Sequence, residues 1–164
     1  MLHLTFVFIS AFGAAYALLF LTDGAAMPVF EQTLSVFVTV AILFGAMSFA
    51  LYNYVDGIQK DFPKELKSRK PTEFAEAVAT IDRLKGEVIS NVALIICLLV
   101  GERIILGVET VLANQGWNAG PLWVWLFPST RAACLLVSIY AALVQFRGFF
   151  IANDMRSVLL RNGD

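Results

Sequence analysis

Charged residues, histidine and cysteine are all scarce in this sequence. Only 15% of the 164 residues are charged, against roughly 25% in ordinary soluble domains. The single histidine, His3, cannot supply a pair of axial haem ligands, and two cysteines cannot complete a Cys/His zinc site. Cys97 and Cys134 both lie inside apolar runs, where a thiol behaves as a small hydrophobic side chain. We therefore predict no cofactor, no metal site and no disulfide framework.

Sequence motifs of the common enzyme classes are also missing. The chain contains no GxSxG, CxxC or HExxH motif and no glycine-rich phosphate-binding loop. In the most charged stretch, residues 56–87, seven acidic residues balance seven basic ones. A balanced charge does not form the basic patch that nucleic-acid binding requires, so no nucleic-acid partner is predicted.

Apolar residues, by contrast, make up 59% of the chain. They form four runs of roughly 20 residues or more, which is the length that a helix needs to cross a hydrocarbon core ~30 Å thick. The sequence predicts an all-α integral membrane protein that is a single four-span domain over residues 1–164. The predicted spans are about 4–22, 34–55, 88–112 and 122–151.

Lys and Arg are distributed unevenly between the connections. The segments 23–33 and 113–121 contain neither residue, whereas the long middle connection and the C-terminal segment contain nine: Lys60, Lys64, Lys67, Arg69, Lys70, Arg83, Lys85, Arg156 and Arg161. By the positive-inside rule, the loop 56–87, the tail 153–164 and the N-terminus are predicted to be cytoplasmic, in a bacterial-type inner membrane. No Lys or Arg precedes the small-residue sequence AYA at 15–17, so we expect the first span to be retained rather than cleaved as a signal peptide.

The middle loop contains a candidate amphipathic helix over residues 71–85. Pro71 suits the first turn of a helix, and apolar residues then recur at three- and four-residue spacing. We predict that this helix is cytoplasmic and continues into the third span, with Gly86 as a bend. The apolar residues are Phe74, Val78, Ile81 and Leu84.

Small residues are concentrated in the first two spans. Because lipid provides no hydrophobic drive between helices, small residues that let backbones approach are typical of helix contacts in membranes. We predict that these two spans pack closely as a hairpin. The residues are Ser10, Ala11, Gly13, Ala14, Ala15 and Ala17 in the first span, and Ala41, Gly45 and Ser48 in the second.

Tryptophans surround the entry to the fourth span. Trp117, Trp123 and Trp125 lie beside Gly and Pro, and Pro128 is placed to begin a helix. Tryptophan favours the membrane interface, so we predict that the three residues are interfacial anchors, with a binding surface as the alternative. Arg147 is predicted to snorkel to the cytoplasmic head groups.

Three charged residues interrupt the third span. Glu102 and Glu109 are seven residues apart and therefore point within about 20° of each other, whereas Arg103 points about 100° away from Glu102. An antiparallel alignment of the last two spans predicts an ion pair between Glu109 and Arg131, with Ser138 level with Glu102.

Glu102 has no evident partner on its own helical stripe. We consider Ser138, Tyr140, the Arg103 of a neighbouring copy, or water in a central pore. A ring of Glu102 and Glu109 from several copies would form a cation-selective path.

Three functional hypotheses follow. The first is a non-catalytic membrane module that self-associates or is a subunit of a larger membrane complex, with membrane lipid around it and its loop and tail available to cytoplasmic proteins. The second is a small homo-oligomeric cation channel lined by the third span. The third is an enzyme acting on lipid, whose polar residues near the cytoplasmic interface are Asn53, Asp56, Arg147 and Asp154.

Overall fold

The protein is helical throughout the part of the chain that the structure describes. This structure is a computed structural model and describes residues 2–60, 71–116 and 120–161. Within these ranges there are helices and short turns but no strand. The helices are α1 (Leu2–Leu21), α2 (Met27–Ser35), α3 (Phe37–Lys60), α4 (Pro71–Asn114), α5 (Pro121–Val124) and α6 (Leu126–Arg161).

Four helical segments are long and apolar enough to cross a membrane. Their most apolar windows have mean hydropathies between 1.8 and 2.3. This confirms the predicted helical class and the predicted number of helices of membrane-spanning length. The segments are His3–Leu21, Met27–Lys60, Phe74–Asn114 and Leu126–Asp154.

The helices differ from the predicted spans chiefly at their ends. The predicted start of the second span, residue 34, lies in α2, and the chain passes to α3 through Val36, whose φ of −86° and ψ of −3° are still helical. The prediction that Pro128 begins a helix was wrong, because α6 begins two residues earlier, at Leu126. Proline is accommodated in a first turn, where the amide it lacks would have no partner within the helix.

The segments on either side of Gly86 form a single helix. The predicted amphipathic segment 71–85 and the third span together make up α4, whose 44 residues continue without interruption. At ~1.5 Å per residue α4 is about 66 Å long, roughly twice the thickness of a ~30 Å hydrocarbon core. The predicted tail 153–164 is likewise helical as far as Arg161.

A tight turn ends α1. The amide of Gly24 donates to the carbonyl of Leu19 at 2.9 Å, and the amide of Asp23 donates to the carbonyl of Phe20 at 3.3 Å. This is the Schellman pattern, which requires a left-handed residue after the helix. Asp23 provides it with a φ of 48°, and Gly24 follows with a φ of 79°. Aspartate tolerates this conformation because its short polar side chain can bond locally.

The described chain groups into two compact units. Unit 1 comprises Met1–Ile42 and Leu94–Tyr140, and unit 2 comprises Leu43–Ala93 and Ala141–Asp164. Unit 2 has a continuous apolar core drawn from α3, α4 and α6. This core consists of Leu51, Val55, Ile58, Ile81, Leu84, Val88 and Ala152.

Trp125 organises aromatic packing in unit 1. Its ring meets those of Tyr16 and Phe20 edge to face, at centroid distances of 6.4 and 6.0 Å. A Cβ on Gly24 would lie 3.4 Å from the indole nitrogen. Trp125 is 7% exposed and Trp123 is 58% exposed. Trp125 is therefore a buried packing residue. Trp117 lies outside the described residues, and the role of the tryptophans as interfacial anchors stays a prediction.

The small residues of the first two spans do not all serve close helix contacts. Ala11, Ala15 and Leu19 are buried along one face of α1, since residues four apart lie one above the other. A Cβ on Gly13 or Gly45, however, would meet no atom within 4 Å. These two glycines therefore make no close backbone contact within the described chain, and the hairpin of the first two spans stays a prediction.

We expect Trp125→Ala to destabilise the protein by about 3–5 kcal/mol, because it empties a buried aromatic site. Thermal unfolding in detergent would measure the loss. Trp123→Ala is the matched control, and a smaller loss is expected because most of Trp123 is exposed. Equal effects of the two substitutions would contradict the assignment of Trp125 to the interior.

Candidate functional site

Three charged residues of α4, Glu102, Arg103 and Glu109, meet Arg131 of α6 in unit 1. The guanidinium of Arg131, on α6, lies between two carboxylates of α4. Its Nε donates to Oε1 of Glu102 at 2.8 Å, and its Nη1 donates to Oε2 of Glu109 at 3.5 Å. One cation thus bridges two acidic residues that lie two helical turns apart on the same stripe.

The partner of Glu102 is the main difference from the sequence prediction. The predicted ion pair between Glu109 and Arg131 is present, but the shorter contact of Arg131 is with Glu102. Ser138 is not the partner, because its hydroxyl donates to the carbonyl of Cys134 at 2.9 Å. The antiparallel alignment of the two helices matched each residue with one residue at the same depth. The guanidinium group of an arginine, however, has several N–H donors and can bond to two carboxylates at once.

Arg103 lies on the other side of Glu102. Its Nε is 3.1 Å from Oε2 of Glu102, which makes an ion pair. The same Oε2 is buried without a hydrogen bond, so the N–H group of Arg103 does not point at it. The side chain of Arg103 is 44% exposed, compared with 10% for that of Arg131.

The four residues together form a neutral cluster. Two carboxylates and two guanidinium groups cancel, and Glu102 is fully buried at 0% exposure. In a medium of low dielectric constant, leaving one member of such a pair unpaired is strongly destabilising. Glu102 faces the interior of its own unit, where Arg131 and Arg103 of the same chain are its partners. The arrangement can hold α4 against α6.

An apolar cavity also lies in unit 1. It has a volume of about 390 Å³ and is lined by Phe12, Ile104, Ile105, Val108, Trp123, Leu126, Phe127 and Thr130. None of the four charged residues belongs to its lining. The cluster and the cavity therefore do not combine into a polar binding pocket.

Unit 2 has a polar contact of its own. The Ser48 hydroxyl donates to Oε1 of Gln145 at 2.7 Å, and Nε2 of Gln145 donates to the carbonyl of Val88 at 3.4 Å. These bonds link α3, α6 and α4. Gln145 also lines an apolar groove of about 390 Å³ together with Met47, Ala50, Leu51, Tyr54, Ala142, Phe146 and Phe149.

Asp56, the carboxylate predicted for a lipid-modifying site, is engaged by two cations. It pairs with Lys60 at 2.7 Å and also accepts a bond from Lys85. Lys85 donates to Gln59 as well, and Gln59 donates to Asp82 at 3.2 Å. These hydrogen bonds and ion pairs connect the end of α3 to α4. Arg147, another residue of the predicted lipid-modifying site, is exposed on α6.

Sequence reasoning missed the role of Gln145. It is the single carboxamide in the predicted fourth span, 122–151. A lone amide in an apolar run is a signal for a hydrogen bond between helices. That signal could have predicted a contact, but not that Ser48 and Val88 provide it.

Comparison with protein families, with curated proteins and with solved structures finds no match to this chain. The geometry of the described residues is therefore the basis for the function proposed below.

We expect Arg131→Met to cost about 3–5 kcal/mol of stability, because it leaves Glu102 buried and unpaired. Adding Glu102→Gln to that variant should recover part of the loss, since the uncompensated buried charge is removed. Thermal unfolding in detergent would compare the two variants with Arg147→Met, a control at an exposed arginine. If Arg131→Met unfolds at the wild-type temperature, the bridge is not structural.

Proposed function

We propose that this protein is a non-catalytic membrane module, self-associating or serving as a subunit of a larger membrane complex. The proposal rests on one observation: the charged residues in the apolar part of α4 and α6 pair with one another. Arg131 and Arg103 together balance the charges of Glu102 and Glu109 within one unit, and the large cavities of both units are lined almost wholly by apolar side chains. A catalytic centre needs polar groups that converge on a substrate site, whereas these groups converge on one another.

The channel hypothesis requires Glu102 to face a water-filled path. Glu102 is fully buried and bonded to Arg131, so it would have to leave a short ion pair to line such a path. Breaking a buried pair costs several kcal/mol, roughly 3–5 by analogy with soluble proteins. The subunit proposal needs no such rearrangement, and we prefer it for that reason.

The proposed location is a bacterial-type inner membrane, with both termini in the cytoplasm. The uneven distribution of Lys and Arg supports this orientation. The helices support a multi-pass arrangement, since four of them have the length and hydropathy to cross a bilayer. Many large apolar side chains on their outer faces, such as Phe6, Ile42 and Phe150, are exposed and suit a lipid environment.

The loop 56–87 and the tail 153–164 are the proposed docking elements for cytoplasmic partners. Charged side chains on the described part of the loop are well exposed, including Lys60 at 76% and Arg83 at 73%. The bonds of the less exposed Lys85 to Asp56 and Gln59 link α3 and α4. The proposed docking surface therefore has exposed charged side chains on two helices that are bonded to each other.

The orientation can be measured with reporter fusions. Alkaline phosphatase fused after Gly116 should be active, because that enzyme needs the oxidising periplasm to form its disulfides. Green fluorescent protein fused after Asp164 should fluoresce, since the C-terminus is proposed to be cytoplasmic. The opposite pair of results would refute the proposed orientation.

The assembly can be measured by native mass spectrometry after extraction in mild detergent. We expect a mass well above the 18.0 kDa of one chain, either as a multiple of that mass or with an additional protein. The Arg131→Met variant should show whether assembly depends on an intact unit 1. A lone monomer with no co-purifying protein, found in several mild detergents, would contradict the proposal.

A further inference from the structure

A small cavity lies between α3, α4 and α6 in unit 2. It leaves about 10 Å³ for the centre of a water molecule, which is room for one such molecule. Most of its lining residues are apolar or glycine, but three carry polar side chains. These are Glu87 and Asn91 on α4 and Gln145 on α6. We call this space the Asn91 cavity.

Gln145 has a hydrogen-bond donor that its bonds within the chain do not use. Its Oε1 accepts from Ser48 at 2.7 Å, and its Nε2 donates to the carbonyl of Val88 at 3.4 Å. A carboxamide nitrogen carries two N–H groups. The second N–H of Gln145 has no acceptor among the described residues, although the side chain is only 7% exposed. A buried donor costs free energy unless it has a partner, so this N–H group needs one.

Asn91 lines the same cavity from α4 and is half-buried. Its carboxamide forms no hydrogen bond with any other residue in the part of the chain that the structure describes. Two carboxamides, those of Asn91 and Gln145, therefore border one small space without bonding to each other. In native proteins ordered water commonly pairs such groups where no protein group reaches them.

Glu87 connects the Asn91 cavity with solvent. Its side chain is 56% exposed and pairs with Arg83, one turn earlier on α4, at 3.6 Å. Glu87 also lies one residue before the predicted third span, 88–112. Hydrocarbon therefore does not separate this end of the cavity from water, and a water molecule can enter beside the carboxylate.

We propose that one ordered water molecule is bound in the Asn91 cavity. It accepts a hydrogen bond from Nε2 of Gln145 and donates one to the side-chain oxygen of Asn91, and its second hydrogen is available to the carboxylate of Glu87. Three polar partners suit a buried water, which typically makes about three hydrogen bonds. The water joins α6 to α4 where the two carboxamides do not meet. This site is separate from the charged cluster of unit 1 and does not depend on the proposed function.

A double-mutant cycle of Asn91→Leu and Gln145→Leu tests the bridge through the equilibrium constant of unfolding in mixed detergent micelles. Each single substitution removes the same water-mediated link, so the double variant should be about three- to twentyfold more stable than the product of the two single effects predicts. That factor corresponds to one polar contact between membrane helices. The control cycle pairs Asn91→Leu with Thr80→Val, whose hydroxyl bonds only within α4, and should be additive.

Gly148 allows the water to be displaced without removing either carboxamide. It lines the Asn91 cavity, and a Cβ on it would lie 3.6 Å from Cδ2 of Leu84, an ordinary contact. Alanine by itself stabilises a helix relative to glycine, and Gly86→Ala measures that effect alone, because its Cβ would meet no atom within 4 Å. We expect Gly148→Ala to be at least about threefold less stable than Gly86→Ala, since the added methyl group displaces one water-mediated contact. In the Gly148→Ala background the coupling between Asn91 and Gln145 should disappear.

Nuclear magnetic resonance of the full-length protein in lipid nanodiscs detects the water directly. We expect magnetisation transfer from water to the side-chain amide of Gln145, and its loss in Gly148→Ala. Absence of this transfer in the wild-type protein would overturn the proposal, as would additive effects of Asn91→Leu and Gln145→Leu. Equal stabilisation by Gly148→Ala and Gly86→Ala would mean that the cavity is a dry gap in the packing. If Gln145→Leu does not fold, Gly148→Ala and the magnetisation transfer decide, because both retain Gln145.

Discussion

The bridge from Arg131 to Glu102 and Glu109 is the interaction on which unit 1 depends. Glu102 is fully buried, and a carboxylate in that position is tolerated only with a compensating charge. Because Arg131 provides that charge from a different helix, α4 and α6 are held at one register. A slip by one helical turn, about 5.4 Å, would separate the guanidinium from at least one of the two carboxylates.

Unit 2 is held in register by neutral hydrogen bonds and by an ion pair at the end of α3. Ser48, Gln145 and the carbonyl of Val88 connect three helices, while Lys85 bonds to Asp56 and Gln59 at the end of α3. Hydrogen bonds between membrane helices contribute about 0.6 kcal/mol each on average. Small directional contacts of this kind define register, whereas the apolar core around Ile81 and Leu84 provides most of the buried area.

Two features of the arrangement bear on function. Glu102 and Glu109 pair with Arg131, and Ser48 bonds to Gln145, so these polar side chains are engaged inside their own units. Arg103 is the exception, since it belongs to the charged cluster but extends onto the outer face of α4.

The sequence by itself determined the helical class, the number of membrane-length helices and the pairing of Glu109 with Arg131, because hydropathy and helical periodicity are local properties. Only the tertiary structure decided that Glu102 shares Arg131, that Trp125 is buried and that Gly13 and Gly45 lie open. These outcomes depend on which faces of distant segments meet. Residue spacing gives the direction of a side chain on its own helix, but the neighbour it meets is set by how the helices pack.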